Sequence, residues 1–271
     1  MMTQETMKFL ISSLYRESGL VLDESKSYLL ESRLEPLAIQ EGFPSLEDFG
    51  RYVMKSPAPP LLQKIVEAMT TNETSFFRDR IPFELFKNVV FPGMVKANEK
   101  SRKIRIWSAC CSTGQEPYSI SMLLSDFEAA IQQWDVKITA TDIDKSVLNR
   151  AREGNYSQYE IQRGLPILYL TRYFTQSNGS WEVKPGVKKR IDFAPLNLLS
   201  DFSFLGIFDL IFCRNVLIYF DLATKKKILE QMARMLSPAG ALFLGSSETS
   251  IGVTEKLVRV EVEKGTYYKK A

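Results

Sequence analysis

The stretch Ile104-Arg105-Ile106-Trp107-Ser108-Ala109-Cys110-Cys111-Ser112-Thr113-Gly114-Gln115-Glu116-Pro117-Tyr118-Ser119 constrains the fold more tightly than any other part of the chain. It opens as an alternating strand, passes through small residues, turns at Gly114 and enters a helix. Pro117 suits the first turn of that helix, where an N–H would have no partner anyway. An apolar stripe follows at Ile120, Leu123, Leu124 and Phe127. The small residues and the glycine are expected to let a ligand approach the backbone closely. A strand–turn–helix unit of this kind opens a nucleotide-binding α/β sheet, with the ligand outside the carboxyl end of the strand.

The ligand is not expected to be a dinucleotide. The three-glycine fingerprint and the phosphate loop are both missing, for Gly114 stands alone and no lysine follows it. The turn instead carries an acid, Glu116. That suits a ligand without phosphate but with an amine or hydroxyl, and S-adenosylmethionine meets the description. A second strand, Val136 to Thr141, ends in Asp142, placed to accept hydrogen bonds from both ribose hydroxyls. Singly, either acid also suits a helix start; together, at the two expected strand ends, they favour the ligand.

With 271 residues, 45% of them hydrophobic, the chain has room for one large domain or two smaller ones with a sizeable core. A net charge of +3 is too near neutral to imply nucleic acid. No apolar run is long enough to span a bilayer, and Met1 to Phe9 has no signal-peptide core. The expectation is a soluble, cytoplasmic, monomeric protein without membrane insertion. Cys110, Cys111 and Cys213 form no disulfide framework, and they fall short of the four ligands of structural zinc. No metal is expected, and the thiols are read as reduced and partly buried. The chain has no histidine, the usual general base near neutral pH. Ser–His and Cys–His hydrolase schemes are thereby excluded. The reaction needs either no strong protein base or a carboxylate or tyrosine.

Ahead of the sheet the pattern is helical. Met7, Leu10, Ile11, Leu14 and Tyr15 recur at helical spacing, giving a first helix over about Thr6 to Glu17. Asp23 can cap a second, with Leu30, Leu34, Leu37 and Ala38 inward and a kink or break at Pro36. Lys26 and Arg33, seven apart, share another face. Ser45 and Asp48 resemble a capping box before a third helix bearing Leu46, Phe49 and Val53. Beyond Pro57, Pro59 and Pro60 a fourth turns Leu61, Leu62, Ile65, Val66 and Met69 inward. The chain is therefore divided into an all-helical N-terminal domain, 1–72, and an α/β domain, 73–271. Residues 1–80 carry nine Lys+Arg against twelve Asp+Glu, so any attraction for an acidic partner is local, as at Lys26 with Arg33.

Between the two domains, Thr70 to Asp79 sets polar residues against a Phe pair and Arg78. Arg78 can clamp a ligand carboxylate, with Asn72 and Thr74 bonding the same ligand; the alternative is a linker whose arginine pairs with Asp79. After Asp142 a helix carries Val147, Leu148 and Ala151. Asn178-Gly179 is a hairpin signal, and Val187 to Phe193 reads as a strand. A small antiparallel β-subdomain is thus inserted at about 166–192. Residues 172–190 hold five basic residues against Glu182 alone, which suits an acidic partner surface or a lysine-protected edge strand. Asn197 stands at the exit of a core strand. Phe208 to Phe212 is a buried strand closed by Cys213-Arg214-Asn215. A helix with Ile228, Leu229 and Met232, a strand Gly240 to Leu244 and a hairpin over Leu257–Val262 and Gly265–Lys269 complete a doubly wound, Rossmann-like α/β sheet.

With these residues assembled, the chain resembles the chemotaxis receptor protein-glutamate methyltransferases, the CheR-type family. The resemblance covers nearly the whole chain. Thr71 to Asp79, Trp107-Ser108-Ala109, Ser112-Thr113-Gly114, Glu116-Pro117-Tyr118-Ser119, Asp142-Ile143-Asp144, Phe193 to Leu198 and Phe212 to Asp221 match its motifs in order and spacing. It implies a class I methyltransferase fold in which S-adenosylmethionine, and the product S-adenosylhomocysteine, contact Asn72, Thr74, Arg78, Glu116, Asp142, Asn197, Leu198, Arg214 and Asn215. It places Tyr219, with Arg78, close to the transferred methyl. It turns the helical domain, with Lys26 and Arg33 as candidate substrate contacts, toward the methylation helices of a chemoreceptor cytoplasmic domain. Some members grip a receptor tail through a glycine-rich hairpin loop; Thr175 to Gly186 has only Gly179 and Gly186, and tail tethering is not expected.

The chemistry suits the composition. A glutamate side chain, with a reference pKa of about 4.3, is already ionised at pH 7 and can attack a sulfonium methyl without an imidazole. In-line positioning can supply roughly 7–11 kcal/mol at best, and an aromatic such as Tyr219 sits favourably beside a cationic sulfonium. A nucleic-acid methyltransferase would share the fold, but the near-neutral charge and acidic helical domain oppose it. So does the lack of paired prolines after Arg214-Asn215. A non-catalytic adaptor binding S-adenosylmethionine or its product is the other alternative, opposed by the retained acids and Tyr219.

Overall fold

The computed structural model describes residues 2–23 and 26–271. Four helices come first: α1 (Gln4–Ser18), α2 (Ser27–Gln40), α3 (Leu46–Lys55) and α4 (Pro59–Met69). Thr3 caps α1 by accepting the Thr6 N–H at 3.3 Å, and Gly19, with φ +74°, ends it. Ser45 caps α3 by accepting the Asp48 N–H at 3.1 Å. Leu10, Leu14, Leu30, Leu34, Phe49, Val53, Ile65 and Val66 close into a core of their own. Two expectations change here. Tyr15 is 45% exposed, and its hydroxyl donates to Asp221 Oδ2 at 2.6 Å across to the α/β part. Pro36 does not break α2, because it lies on the exposed side, where solvent can take the carbonyl it displaces. The turn expected directly after Asp23, residues 24–25, lies outside the described residues; α2 itself starts at Ser27.

Next come α5 (Ile81–Leu85), a π-helical turn (Phe86–Val90) and α6 (Phe91–Ala97). They lead into β1 (Lys103–Ala109), α7 (Gln115–Asp126), α8 (Glu128–Ile131), β2 (Asp135–Asp142) and α9 (Lys145–Glu153). An excursion follows through β3 (Asn155–Ser157), α10 (Gln158–Gln162), α11 (Ile167–Tyr173), β4 (Phe174–Ser177), β5 (Ser180–Val183) and α12 (Pro185–Lys188). The chain returns through β6 (Ile191–Pro195), β7 (Phe208–Cys213), α13 (Leu222–Met235), β8 (Leu236–Leu244), β9 (Leu257–Val262) and β10 (Gly265–Lys270).

The main sheet runs β6-β2-β1-β7-β8-β10-β9, parallel through β8 and antiparallel at β10. Ile106 and Phe212 face one core while Trp107 and Ile211 face the other, as the strand period of two demands for a sheet buried on both sides. From β1 the chain builds outward through β2 to β6 and then crosses to β7 on the other side, so a switch point lies beside β1. The register pairs Ala109 with both Thr141 and Cys213, and Cys213 with Leu244. Four carboxyl ends are therefore level, and the residues that follow them emerge along one rim.

The small sheet has the order β3-β5-β4. Asn178 and Gly179 turn its hairpin with φ of +47° and +77°, the two positive values of a type I′ turn. The excursion begins at β3, earlier than the pattern suggested, and Tyr156 of β3 pairs with Trp181 of β5. Val187 to Phe193 is not one strand: Pro185 starts the single turn of α12, and β6 begins only at Ile191. Of the five basic residues of this stretch four are engaged and Lys189 is left exposed. Arg172 pairs with Asp126, Lys188 with Glu182 and Arg190 with Glu128, and Lys184 donates to the Arg172 carbonyl.

Gly50 lets α3 approach α1, since a Cβ there would fall inside contact distance of Thr6 Cγ2. Gly50→Ala should lower stability by about 1–3 kcal/mol, read as an earlier urea midpoint; an unchanged midpoint would mean that α1 yields without cost.

Candidate functional site

Along the rim lies a cavity of about 890 Å³, its open mouth included. Asn72, Thr74, Arg78, Glu116, Asp142, Asn197, Leu198, Arg214, Asn215 and Tyr219 all line it. Ser18, the last residue of α1, and Leu20, just past it, line it too. Nothing in the sequence marks those two. They arrive because the Asn197 amide donates to the Glu17 carbonyl at 2.7 Å and the Val21 N–H donates to the Tyr219 carbonyl at 2.9 Å, which fold the end of α1 over the rim.

Asp142 closes β2 and is 5% exposed. Its Oδ2 accepts the Ser112 N–H at 2.8 Å and its Oδ1 the Asp144 N–H at 3.0 Å. Burial pushes its pKa up to about 6 despite those two bonds. Glu116, in the first turn of α7, accepts from Ser108 Oγ at 2.8 Å and from Arg214 Nη1 at 3.0 Å. Burial raises its pKa as well, with the Arg214 charge acting in opposition. Asn72 donates to Asp144 Oδ2 at 2.9 Å, and its carbonyl accepts from Ser112 Oγ at 2.9 Å, fixing the 70–74 segment across the cavity. Arg78 donates to the Glu73 carbonyl; Asp79 pairs with Arg214 at 2.6 Å rather than with Arg78.

Gly114 serves a different purpose from the one its position suggested. It does not line the cavity, and a Cβ on it would stand 3.0–3.2 Å from Ala151, Tyr156 and Tyr118. Its φ of +95° and that close approach to α9 explain it; Cys110 and Ser112 are the small residues beside the cavity. Burial pushes all three thiols well above the ordinary range, which keeps them protonated.

Lys26 and Arg33 stand apart from the cavity. Lys26 is exposed at the start of α2. Arg33 is half-buried, and its Nη1 donates to the Met69 and Thr70 carbonyls at 2.6 and 2.9 Å, closing the C-terminus of α4. Sequence reasoning also missed Glu248, which bonds the backbone of Asn215, Val216 and Leu217 from beyond β8. The rule that singled out Glu116 and Asp142, an acid just past a strand end, applies to it equally.

The cavity suits S-adenosylmethionine. Asp142 stands at the strand end where ribose hydroxyls are held. Arg214 lines the cavity with a buried Nε–H that has no partner among the described residues, a donor suited to a ligand carboxylate. Among the charged residues that line it, the carboxylates of Glu73, Glu116 and Asp142 outnumber the guanidinium groups of Arg78 and Arg214, which favours a cationic ligand.

Sheet order, switch point and cavity together define a class I S-adenosylmethionine-dependent methyltransferase. The profile described as CheR methyltransferase, SAM binding domain, matches residues 72–266, and that described as CheR methyltransferase, all-alpha domain, matches residues 5–70. The chain is 42% identical over 259 residues to the chemotaxis protein methyltransferase Cher2 of Pseudomonas putida, with 94% of each chain covered. It is 42% identical over 260 residues to chemotaxis protein methyltransferase 1 of Pseudomonas aeruginosa, again with 94% of each covered. To chemotaxis protein methyltransferase 1 of Vibrio cholerae it is 43% identical over 256 residues, covering 93% of this chain and 92% of that one. The chain belongs to the CheR methyltransferase family.

The raised pKa of Asp142 carries a sign. The folded protein holds this proton more tightly than the unfolded chain, so the carboxyl's contribution to stability is present below about pH 4 and lost as pH rises through about 6. Ribose hydroxyls donating to the ionised form reverse the preference. Affinity for S-adenosylhomocysteine should fall about tenfold from pH 7 to pH 5 by calorimetry, and a flat profile would detach Asp142 from the ribose.

Proposed function

We propose that this chain transfers a methyl group from S-adenosylmethionine to glutamate side chains of a chemoreceptor cytoplasmic domain, forming glutamyl methyl esters. One observation carries the reading: among the described residues, every carboxylate that lines the cavity already has a protein partner. The chain lacks histidine, Glu73 is paired with Arg163, Glu116 is tied to Arg214 and Ser108, and Asp142 is tied to two backbone N–H groups. The acceptor must then arrive as a nucleophile, and a carboxylate ionised above about pH 4.3 does so. The family match and the chemotaxis relatives support a receptor as its source.

S-adenosylmethionine supplies the electrophilic sulfonium methyl. Asn72, Thr74, Asp142, Asn197, Leu198 and Asn215 bind and orient the donor in this reading. Arg214 and Glu116 set the charge of the wall, with Arg78 drawing in the acceptor carboxylate and Tyr219 bordering its path. The helical domain, residues 1–72, faces the receptor, and residues 73–271 hold the donor. Lys26 is the exposed cation available to an acidic receptor helix; Arg33 contributes by shaping the 70–74 segment instead.

Purified protein incubated with methyl-labelled S-adenosylmethionine and receptor cytoplasmic fragments should yield base-labile label on glutamates. Label in RNA or DNA instead, or donor binding without transfer to any receptor fragment, would sink the reading. Asp142→Ala should weaken S-adenosylhomocysteine binding by more than tenfold through lost hydrogen bonds, about 1.4 kcal/mol or more.

A further inference from the structure

The wall formed by Asn215 to Tyr219 has little support of its own. It belongs to neither strand nor α-helix, and Asn215 has a φ of +59°. The N–H groups of Asn215, Val216 and Leu217 lead into the short 3-10 turn Leu217–Tyr219, where helical geometry leaves its first donors unpaired. One distant carboxylate receives all three. Glu248 Oε1 accepts from Val216 at 2.8 Å and from Leu217 at 2.7 Å, and Oε2 accepts from Asn215 at 2.8 Å and from Gly245 at 2.6 Å. A carboxylate has about four acceptor positions, and four backbone donors occupy them. The neighbouring residue has to be glycine for this to close, since a Cβ on Gly245 would stand 2.5 Å from Glu248 Oε2 and 2.8 Å from the Asn215 nitrogen.

Glu248 does not itself line the donor cavity, whereas Asn215, Val216 and Tyr219 do. At its far end the loop is held by the Val21 N–H on the Tyr219 carbonyl. From the methyltransferase reading of this cavity, we infer that Glu248 is a positioning residue for methyl transfer: it fixes the Asn215–Tyr219 loop so that Tyr219 borders the path of the incoming carboxylate. Its negative charge matters because every contact is an N–H donor. An amide in its place would turn an NH2 group toward two of them.

The test uses the full chain with Glu248→Gln. The kcat of methyl transfer should fall at least twentyfold, and KM for S-adenosylmethionine should rise by a clearly smaller factor, since Asn215 is only one of the residues that hold the donor. Amide exchange at Asn215, Val216 and Leu217 should quicken at least a hundredfold while β1 amides keep their protection. In a Tyr219→Ala background the same change should cost less than threefold, because the ring that the loop poses is then gone. A wild-type kcat, unaltered loop exchange, or losses that simply multiply in the double variant would each overturn the inference. Should Glu248→Gln fail to fold, Glu248→Asp keeps the charge with a shorter reach; a native fold with reduced kcat supports the inference, and a wild-type kcat overturns it. Failure of the broader reading looks different, since the unmodified protein would then transfer no methyl to receptor glutamates.

Discussion

Arg214 is the group on which the rim depends. Its side chain is 1% exposed. Nη1 donates to Glu116 at 3.0 Å, and Nη2 donates to Asp79 at 2.6 Å and to the Arg78 carbonyl at 2.8 Å. The guanidinium also lies over the Phe83 ring, 5.5 Å from its centroid. A cation buried this deeply is tolerated because two carboxylates and a carbonyl replace its water. With Arg214 at the exit of β7, those partners tie together three places in the chain: the segment before α5, the first turn of α7 and the exit of β7. A single side chain thus gathers the pieces of a cavity that the sheet alone would only place near one another. Lysine would not do the same work, since its point charge lacks the planar fork that reaches three partners at once.

Backbone conformation around that arginine carries the cost of the arrangement. Phe77, Asp79, Arg80, Cys110, Ser112 and Asn215 have positive φ, six of the eight such non-glycine residues among those described. All six sit on three of the segments that wall the cavity. Each residue of this kind costs of order 1–3 kcal/mol and persists only where its surroundings over-determine it. The restraints are visible: the Phe77 N–H donates to Ser119 Oγ at 3.0 Å, the Ser112 N–H to Asp142 at 2.8 Å, and the Asn215 N–H to Glu248 at 2.8 Å. The packed sheet beneath supplies the stability against which this strain is set.

The same division explains what the sequence could and could not reveal. The strands, the rim acids Glu116 and Asp142, and the closing hairpin were readable because each is written in a local pattern: alternation, a turn residue, an acid at a strand exit. The fate of Arg33 was not, because its partners at Met69 and Thr70 belong to another helix. Tyr15 looked like a core residue by spacing, yet its hydroxyl reaches Asp221 at the far end of the chain. The basic residues of the small β-sheet looked like a patch because Asp126 and Glu128, which neutralise two of them, lie before β2 in the sequence. Charge runs read from one segment count only half of the ion pairs that folding makes.

Placement of titratable groups separates donor binding from chemistry. Asp142 is the cavity acid whose pKa comes up to about 6, and it stands at the end of β2, bonded to Ser112 and Asp144. Tyr219 and Asn215 belong to the opposite wall, on the segment that follows β7. Burial thus raises the acid at the strand end that suits a ribose. For an acceptor that must lose a proton this division would be a defect in the proposed reading, because among the described residues no carboxylate of the 215–219 segment lines the cavity. A carboxylate acceptor needs no such group. What it needs is a fixed wall, an arginine to draw it in and a nearby cation to attack; in the proposed reading Glu248 and Arg78 serve the first two, and the excess of carboxylates suits the third.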